Sequence, residues 1–232
     1  SRTVPYITKV TGVPVIDVAT RVMLGDKLAD MGYYTGIGSE PDVVAVKVPV
    51  FSTEKLPQVE VSLGPEMRST GEVLGVGRNL ENALYKGFIA AGMTIPQPGS
   101  TILATISSKD HDEFVKLAKR CVDLGCNFLA TKGTARALNE NGINCKVVKK
   151  ISEGVPNIID TIRSGVVDLA VDIPKKANDT HSDGFKIRRT AVESDVTLIT
   201  AMDTFAAMVD VMEKKIDQDK LEIFDINRDM RK

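Results

Sequence analysis

The segment Thr131-Lys132-Gly133-Thr134-Ala135 has the composition of an anion cradle, if a strand ends at Thr131 and a helix starts near Thr134. The first amides of a helix lack intrahelical acceptors, and the helix dipole puts partial positive charge there. Gly133 would let the backbone approach a ligand closely. Thr131 and Thr134 add hydroxyls, and Lys132 adds a full charge. A threonine-capped tight turn without a ligand is the plainer reading, and spacing alone does not decide. Neighbouring loops favour an anion. Ser107, Ser108 and Lys109 follow one expected strand; Lys149, Lys150 and Ser152 follow another; Asp172, Lys175, Lys176 and Asn178 follow a third.

Other segments are weaker. Gly75-Val76-Gly77-Arg78 resembles part of a dinucleotide fingerprint but lacks its third glycine, and reads better as a turn before a helix. His111 opens a helix and His181 sits in a polar loop, with no paired Ser or Asp to make either catalytic. Arg188-Arg189 opens a helix and suits an anchoring ion pair. Cys121, Cys126 and Cys145 are too few and wrongly spaced for a disulfide framework or a zinc knuckle, and read as free thiols of a cytoplasmic protein.

The elements that must position these residues are clearest after Pro98-Gly99. Short apolar runs at Thr101–Ser107, Asn127–Thr131, Cys145–Lys149, Val167–Ile173 and Val196–Thr200 have strand length. Helical periodicity separates or follows them at His111–Gly125, Thr134–Asn141, Pro156–Ser164, Lys186–Ser194 and Thr204–Lys215. Five such units predict an α/β fold: a five-stranded parallel sheet with helices on both faces. Ligands in such sheets sit beyond the carboxyl ends of the strands. Before Ile95 the pattern is irregular. A helix is expected at Val13–Leu24, a strand at Val43–Phe51 and a helix at Asn79–Ala91. The reading is thus an α+β region over 1–95, an α/β domain over 100–216, and a charged, solvated tail over 217–232. Phe205, Met208, Val209 and Met212 on the last helix fit either a core or an interface.

Composition removes several classes. Lys plus Arg is 30 against 31 for Asp plus Glu, which argues against a duplex-DNA binder. Aromatics are 5% with no Trp, which argues against a base-stacking surface. No apolar run approaches the roughly 18 residues of a membrane span, and the N-terminus does not read as a signal peptide.

Several runs resemble one family. Ser1-Arg2-Thr3-Val4-Pro5, Thr11-Gly12-Val13-Pro14 and Leu63-Gly64-Pro65-Glu66-Met67-Arg68-Ser69-Thr70-Gly71-Glu72-Val73 resemble the end of the large chain of carbamoyl-phosphate synthases. Ala130–Ala135 and Ile187-Arg188-Arg189-Thr190-Ala191 resemble its C-terminal allosteric domain, which has a methylglyoxal-synthase-like fold. The resemblance runs in order from Ser1 to about Lys215. It implies an ATP-grasp remnant followed by an effector domain. The family makes carbamoyl phosphate from bicarbonate, ammonia from a glutaminase small subunit, and ATP with Mg2+ or Mn2+. It serves pyrimidine and arginine biosynthesis. The family's metal-holding Glu-x-Asn-Pro-Arg segment would precede Ser1, so no cofactor and no synthesis are expected of this chain alone.

The resemblance also implies roles. Arg2 matches an arginine near the substrate anion. Thr131, Lys132, Gly133 and Thr134 match the phosphate loop of a UMP- or IMP-type effector, with Lys150 as a second cation. Thr105 matches an effector-site hydroxyl, and Thr200 a position near an ornithine activator. Asp172 stands where an Asn commonly faces the nucleotide, so a carboxylate there is expected to repel or reorient it. Val48 and Leu198 replace the Glu and Tyr of ornithine-regulated relatives, so no ornithine activation is expected. Expected partners are the rest of the large chain, the small subunit, the effector and further copies of the chain; nucleic acid and membrane are not expected. A methylglyoxal synthase would share the fold, but its Gly-Gly-Asp pattern is missing at Asp172-Ile173-Pro174-Lys175. A free-standing nucleotide-binding module is the other alternative.

Overall fold

The computed structural model describes residues 3–36, 38, 41–50, 69–173 and 182–226. Five strands form one parallel sheet: β3 (Thr101–Ile106), β4 (Asn127–Thr131), β5 (Cys145–Val148), β6 (Leu169–Ile173) and β7 (Thr197–Ile199). Their order is β5-β4-β3-β6-β7. The chain builds outward from β3 on one side, then crosses to β6 and builds outward on the other. Strand order therefore reverses between β3 and β6, where open α/β sheets bind ligands.

Alternation along the strands sorts the core into two layers. Ile102, Ala104, Phe128, Ala130, Leu169 and Val171 point toward α4 (His111–Asp123), α5 (Lys132–Glu140) and α8 (Met202–Glu213). Leu103, Ala170 and Val148 point toward α6 (Ile158–Arg163) and α7 (Asp183–Glu193). Helices thus cover both faces, as the alternation predicts. Phe205, Met208, Val209 and Met212 of α8 are buried, so they are core. Phe114 stacks on Phe205 at 5.5 Å between ring centroids, joining α4 to α8. Outside that stack, Arg120 of α4 bonds Asp210 at 2.6 Å and Glu213 at 2.7 Å on α8. The guanidinium holds the Glu213 carboxyl below the usual range.

Caps fix the helix starts and correct three of the expected boundaries. The Asn157 and Asp160 side chains cap α6 reciprocally, so it begins at Ile158 rather than Pro156. Ser182 accepts the Phe185 amide and starts α7 at Asp183 rather than Lys186. Helix α5 starts directly at Lys132, with Thr131 as its N-cap.

The first region contains α1 (Thr3–Thr11), which periodicity did not reveal, and α2 (Val15–Met23). Neither buries a residue, and Ile16, Met23 and Leu24 face outward. Strands β1 (Val44–Val50) and β2 (Gly71–Gly77) pair antiparallel, with α3 (Leu80–Ala90) across them. Gly75-Val76-Gly77 is therefore strand, not the expected turn. The glycines answer to α3: a Cβ at Gly75 would lie 2.0 Å from the Ala83 carbonyl oxygen, and one at Gly77 would lie 2.6 Å from the Ala83 nitrogen. A third glycine, Gly87 of α3, sits with its virtual Cβ 2.7 Å from the Val48 side chain. Backbone thus meets backbone at Gly75, and a side chain fills the gap at Gly87. Val48, Tyr85 and Phe88 of this layer join the same buried cluster as α8 and the lower sheet face.

Residues 217–226 of the tail are mostly exposed, and they also reach α3 and the turn before it: Glu222 pairs with Arg78, and the Gln218 amide donates to the Tyr85 hydroxyl. The three cysteines are buried free thiols. Burial pushes the Cys121 thiol up to about 12 and the Cys145 thiol up to about 11, so both stay protonated and unreactive at neutral pH.

Candidate functional site

Register brings the sequence-selected residues into one row. Thr105 on β3 pairs directly with Asp172 on β6. Thr131 pairs with Val148, the residue two before Lys150. The β3–β4 ladder ends at Ala104↔Ala130, and β6–β7 at Val171↔Ile199. One step further, Thr131 falls beside Thr105, and Thr200 beside Asp172. Val148, Thr131, Thr105, Asp172 and Thr200 thus cross the carboxyl edge of the sheet. They share the α6–α7 face with Leu103 and Ala170. The row straddles the reversal between β3 and β6.

At one end of the row stands the N-terminus of α5. Lys132 and Gly133 are exposed, and a Cβ at Gly133 would meet nothing within 4 Å. The approach to the α5 amides is open. Thr131 is buried, and its side chain makes no capping bond to α5. Lys150 is exposed and extended, with its backbone N–H held by the Glu153 carboxylate at 2.8 Å. Lys149 is exposed beside it.

Thr134 plays a different part from its neighbours. It is 2% exposed, and its hydroxyl oxygen accepts the Ile106 N–H at 3.1 Å, with the Ile106 carbonyl 3.4 Å away. The hydroxyl ties the first turn of α5 to the end of β3. Thr134→Ala is expected to leave the buried Ile106 amide unpaired and to cost about 1–3 kcal/mol, read from the urea midpoint. A variant as stable as the parent would show the tether to be dispensable.

Asp172 is not a bare carboxylate. Its Oδ2 lies 2.6 Å from Arg188 Nη1, and the two side chains are 5% and 1% exposed. The carboxylate expected to repel or reorient an anion thus carries a guanidinium counter-charge. Sequence reading assigned Arg188 an anchoring pair without finding its partner, which lies on another element. Gly184, which sequence reading missed, makes room for the pair, since a Cβ there would sit 2.9 Å from Arg188 Nη1. Arg189 bonds Glu193 one turn on, at 2.7 Å. His111 Nε2 lies 3.2 Å from the Ile106 carbonyl oxygen, so the ring is engaged by backbone. Arg2, Lys175, Lys176, Asn178 and His181 lie outside the described residues.

Among the described residues, no group of three or more His, Cys, Asp or Glu could hold a metal ion. None of the described helices is long and apolar enough to cross a membrane.

Residues 113–200 match the MGS-like domain family, the span that carries β4 to β7 and most of the row. Over 226 residues the chain is 57% identical to the carbamoyl phosphate synthase large chain of Clostridium perfringens strain 13, covering 97% of this chain and 21% of that protein. It is 56% identical over 227 residues to the corresponding protein of Clostridium botulinum strain Kyoto, and 55% identical over 227 residues to that of Clostridium beijerinckii, again with 21% of each relative covered. The chain is a homologue of part of the carbamoyl phosphate synthase large chain. It spans about a fifth of the length of the curated relatives it matches, and that fifth contains the MGS-like domain. The parallel sheet with two helical layers is the α/β architecture of that domain.

Proposed function

We propose that this homologue of the carbamoyl phosphate synthase large chain is a regulatory stretch that binds a nucleotide effector of the UMP or IMP type. The observation that carries this reading is the row Thr131–Thr105–Asp172–Thr200 at the strand reversal, with the open α5 N-terminus at one end. The effector phosphate sits on the α5 amides, against Thr131, Lys132 and Gly133. Lys150 supplies a second cation, and Thr134 positions the turn from behind. The sugar and base extend along the row toward Thr105, Asp172 and Thr200. The whole enzyme belongs to the same proposal: an ATP-dependent ligase of the cytoplasm, working with a glutaminase small subunit and self-associating, that feeds pyrimidine and arginine biosynthesis. Residues 1–95 are in this reading the end of its ATP-grasp region. In this reading the chain alone does not carry out synthesis, because the ATP-grasp metal and nucleotide ligands belong to the rest of the large chain. A lyase acting on a small phosphorylated ketone fits less well, since Asp172 is committed to Arg188 and His111 to the Ile106 backbone.

Calorimetric titration with UMP, IMP and inorganic phosphate tests the site. At least one nucleotide is expected to bind. Lys132→Ala removes an exposed charge without touching the core, and is expected to weaken binding about 10- to 100-fold through loss of a charge-assisted contact. Binding of none of the three, or unchanged affinity in Lys132→Ala, would defeat the reading.

A further inference from the structure

After α8 the chain turns back over the hairpin layer. Lys214 Nζ lies 3.2 Å from Glu81 Oε1. Gln218 Nε2 donates to the Tyr85 hydroxyl at 2.5 Å. Arg78 holds the Glu222 carboxylate with two bonds, of 3.0 and 2.7 Å. Lys86 Nζ donates to the Glu222 carbonyl. The Phe224 ring lies 5.0 Å from the Arg78 guanidinium and 4.6 Å from the Lys86 ammonium. It also packs on the cluster of Val43 and Val76. Arg78, Glu81, Tyr85 and Lys86 all lie on α3 or in the turn that enters it.

The other end of this run is the rim. Helix α8 begins at Met202, two residues after Thr200, and Arg120 fixes it against α4 near its far end. One covalent path therefore leads from the row, along a stiff helix, to α3. At α3 the approach is close: Gly75 and Gly77 let the helix backbone lie against β2, and Gly87 seats the Val48 side chain of β1, so a shift of α3 must move the hairpin.

The contacts along 214–226 are of the weakly held kind. The Arg78–Glu222 pair is about half exposed on each side, and such pairs are screened by salt. A released state then lies within thermal reach, which supplies the two-state element that coupling between sites requires. We infer that Lys214–Ile226 is a strap that couples occupancy of the rim at Thr200 to the α3–hairpin layer. Its input end rests on the effector reading above; its fastening to α3 does not.

Hydrogen–deuterium exchange on the whole chain separates these parts. Phe224→Ala and Glu222→Gln alter strap residues and their contacts with Val76, Arg78 and Lys86, and touch nothing in the rim row. Each is expected to speed exchange in β2 and α3 about fivefold while leaving β3 to β6 unchanged, and half-molar salt is expected to do the same to the parent protein. Saturating UMP or IMP is expected to slow exchange in α3 and β2 of the parent. Phe224→Ala should bind the same nucleotide with equal affinity and lose that remote slowing. Unchanged α3 exchange in both variants overturns the strap. Remote slowing that persists in Phe224→Ala overturns the coupling. If the parent binds no nucleotide, the effector reading falls and takes the coupling with it, while the first comparison still decides the strap.

Discussion

Gly75→Ala is expected to destabilise the hairpin layer by about 3 kcal/mol or more, at or above the upper end of ordinary overpacking. The added Cβ would lie 2.0 Å from the Ala83 carbonyl oxygen and 2.7 Å from the Gly87 nitrogen. Both are backbone atoms of α3, so no rotamer change relieves the contact. Relief requires α3 to rise off β2. Its buried residues Tyr85 and Phe88 would then withdraw from the cluster they share with α8. Gly71→Ala is the matched control on the same strand, because a Cβ there meets nothing within 4 Å. It should stay within about 0.5 kcal/mol of the parent, as surface changes do. Urea unfolding followed by circular dichroism reads both. Equal midpoints for Gly75→Ala and the parent would show that α3 does not lie on β2 as described.

The same glycines explain what the sequence hid. The five β/α units were legible because each strand is a short apolar run and each helix keeps one apolar face, signals carried by neighbours in the chain. Strand β2 was not: its end, Gly75-Val76-Gly77, reads as a turn until the helix lying on it is known. The strap reads as a solvated charged tail because its partners lie far back in the chain, Arg78 being 144 residues from Glu222. The site shows the same division. Thr131 and Asp172 were legible at strand ends, whereas Thr105 and Thr200 entered through the family resemblance alone. The duties within the row were not legible. Thr134 reads as a phosphate ligand, yet it serves the Ile106 amide. Asp172 reads as a bare negative charge, yet Arg188 from α7 balances it. Charge and hydroxyl type are visible in a sequence; the partner that commits them is a tertiary fact.

That commitment makes Asp172→Asn the second substitution with a large effect. The carboxylate and the Arg188 guanidinium are buried at a 2.6 Å contact. Removing the carboxylate's charge takes away the counter-charge held 2.6 Å from the guanidinium, and broken buried pairs of this kind cost about 3–5 kcal/mol. The intact pair need not stabilise to that extent, because desolvation of both ions offsets their attraction. The double variant Asp172→Asn/Arg188→Met should therefore recover most of the loss, since both members of the ion pair are then removed together. A packing defect at Asp172 would instead leave the double variant as weak as the single one, and the cycle tells the two apart. The pair also holds α7 to the strand reversal from its second turn, through the room left by Gly184 in the first. If the row binds a nucleotide, the rescued double variant should fold and still bind more weakly than the parent, because the α7 end of the row has lost its anchor. A double variant with parental affinity would confine the pair to stability and remove Asp172 from the site.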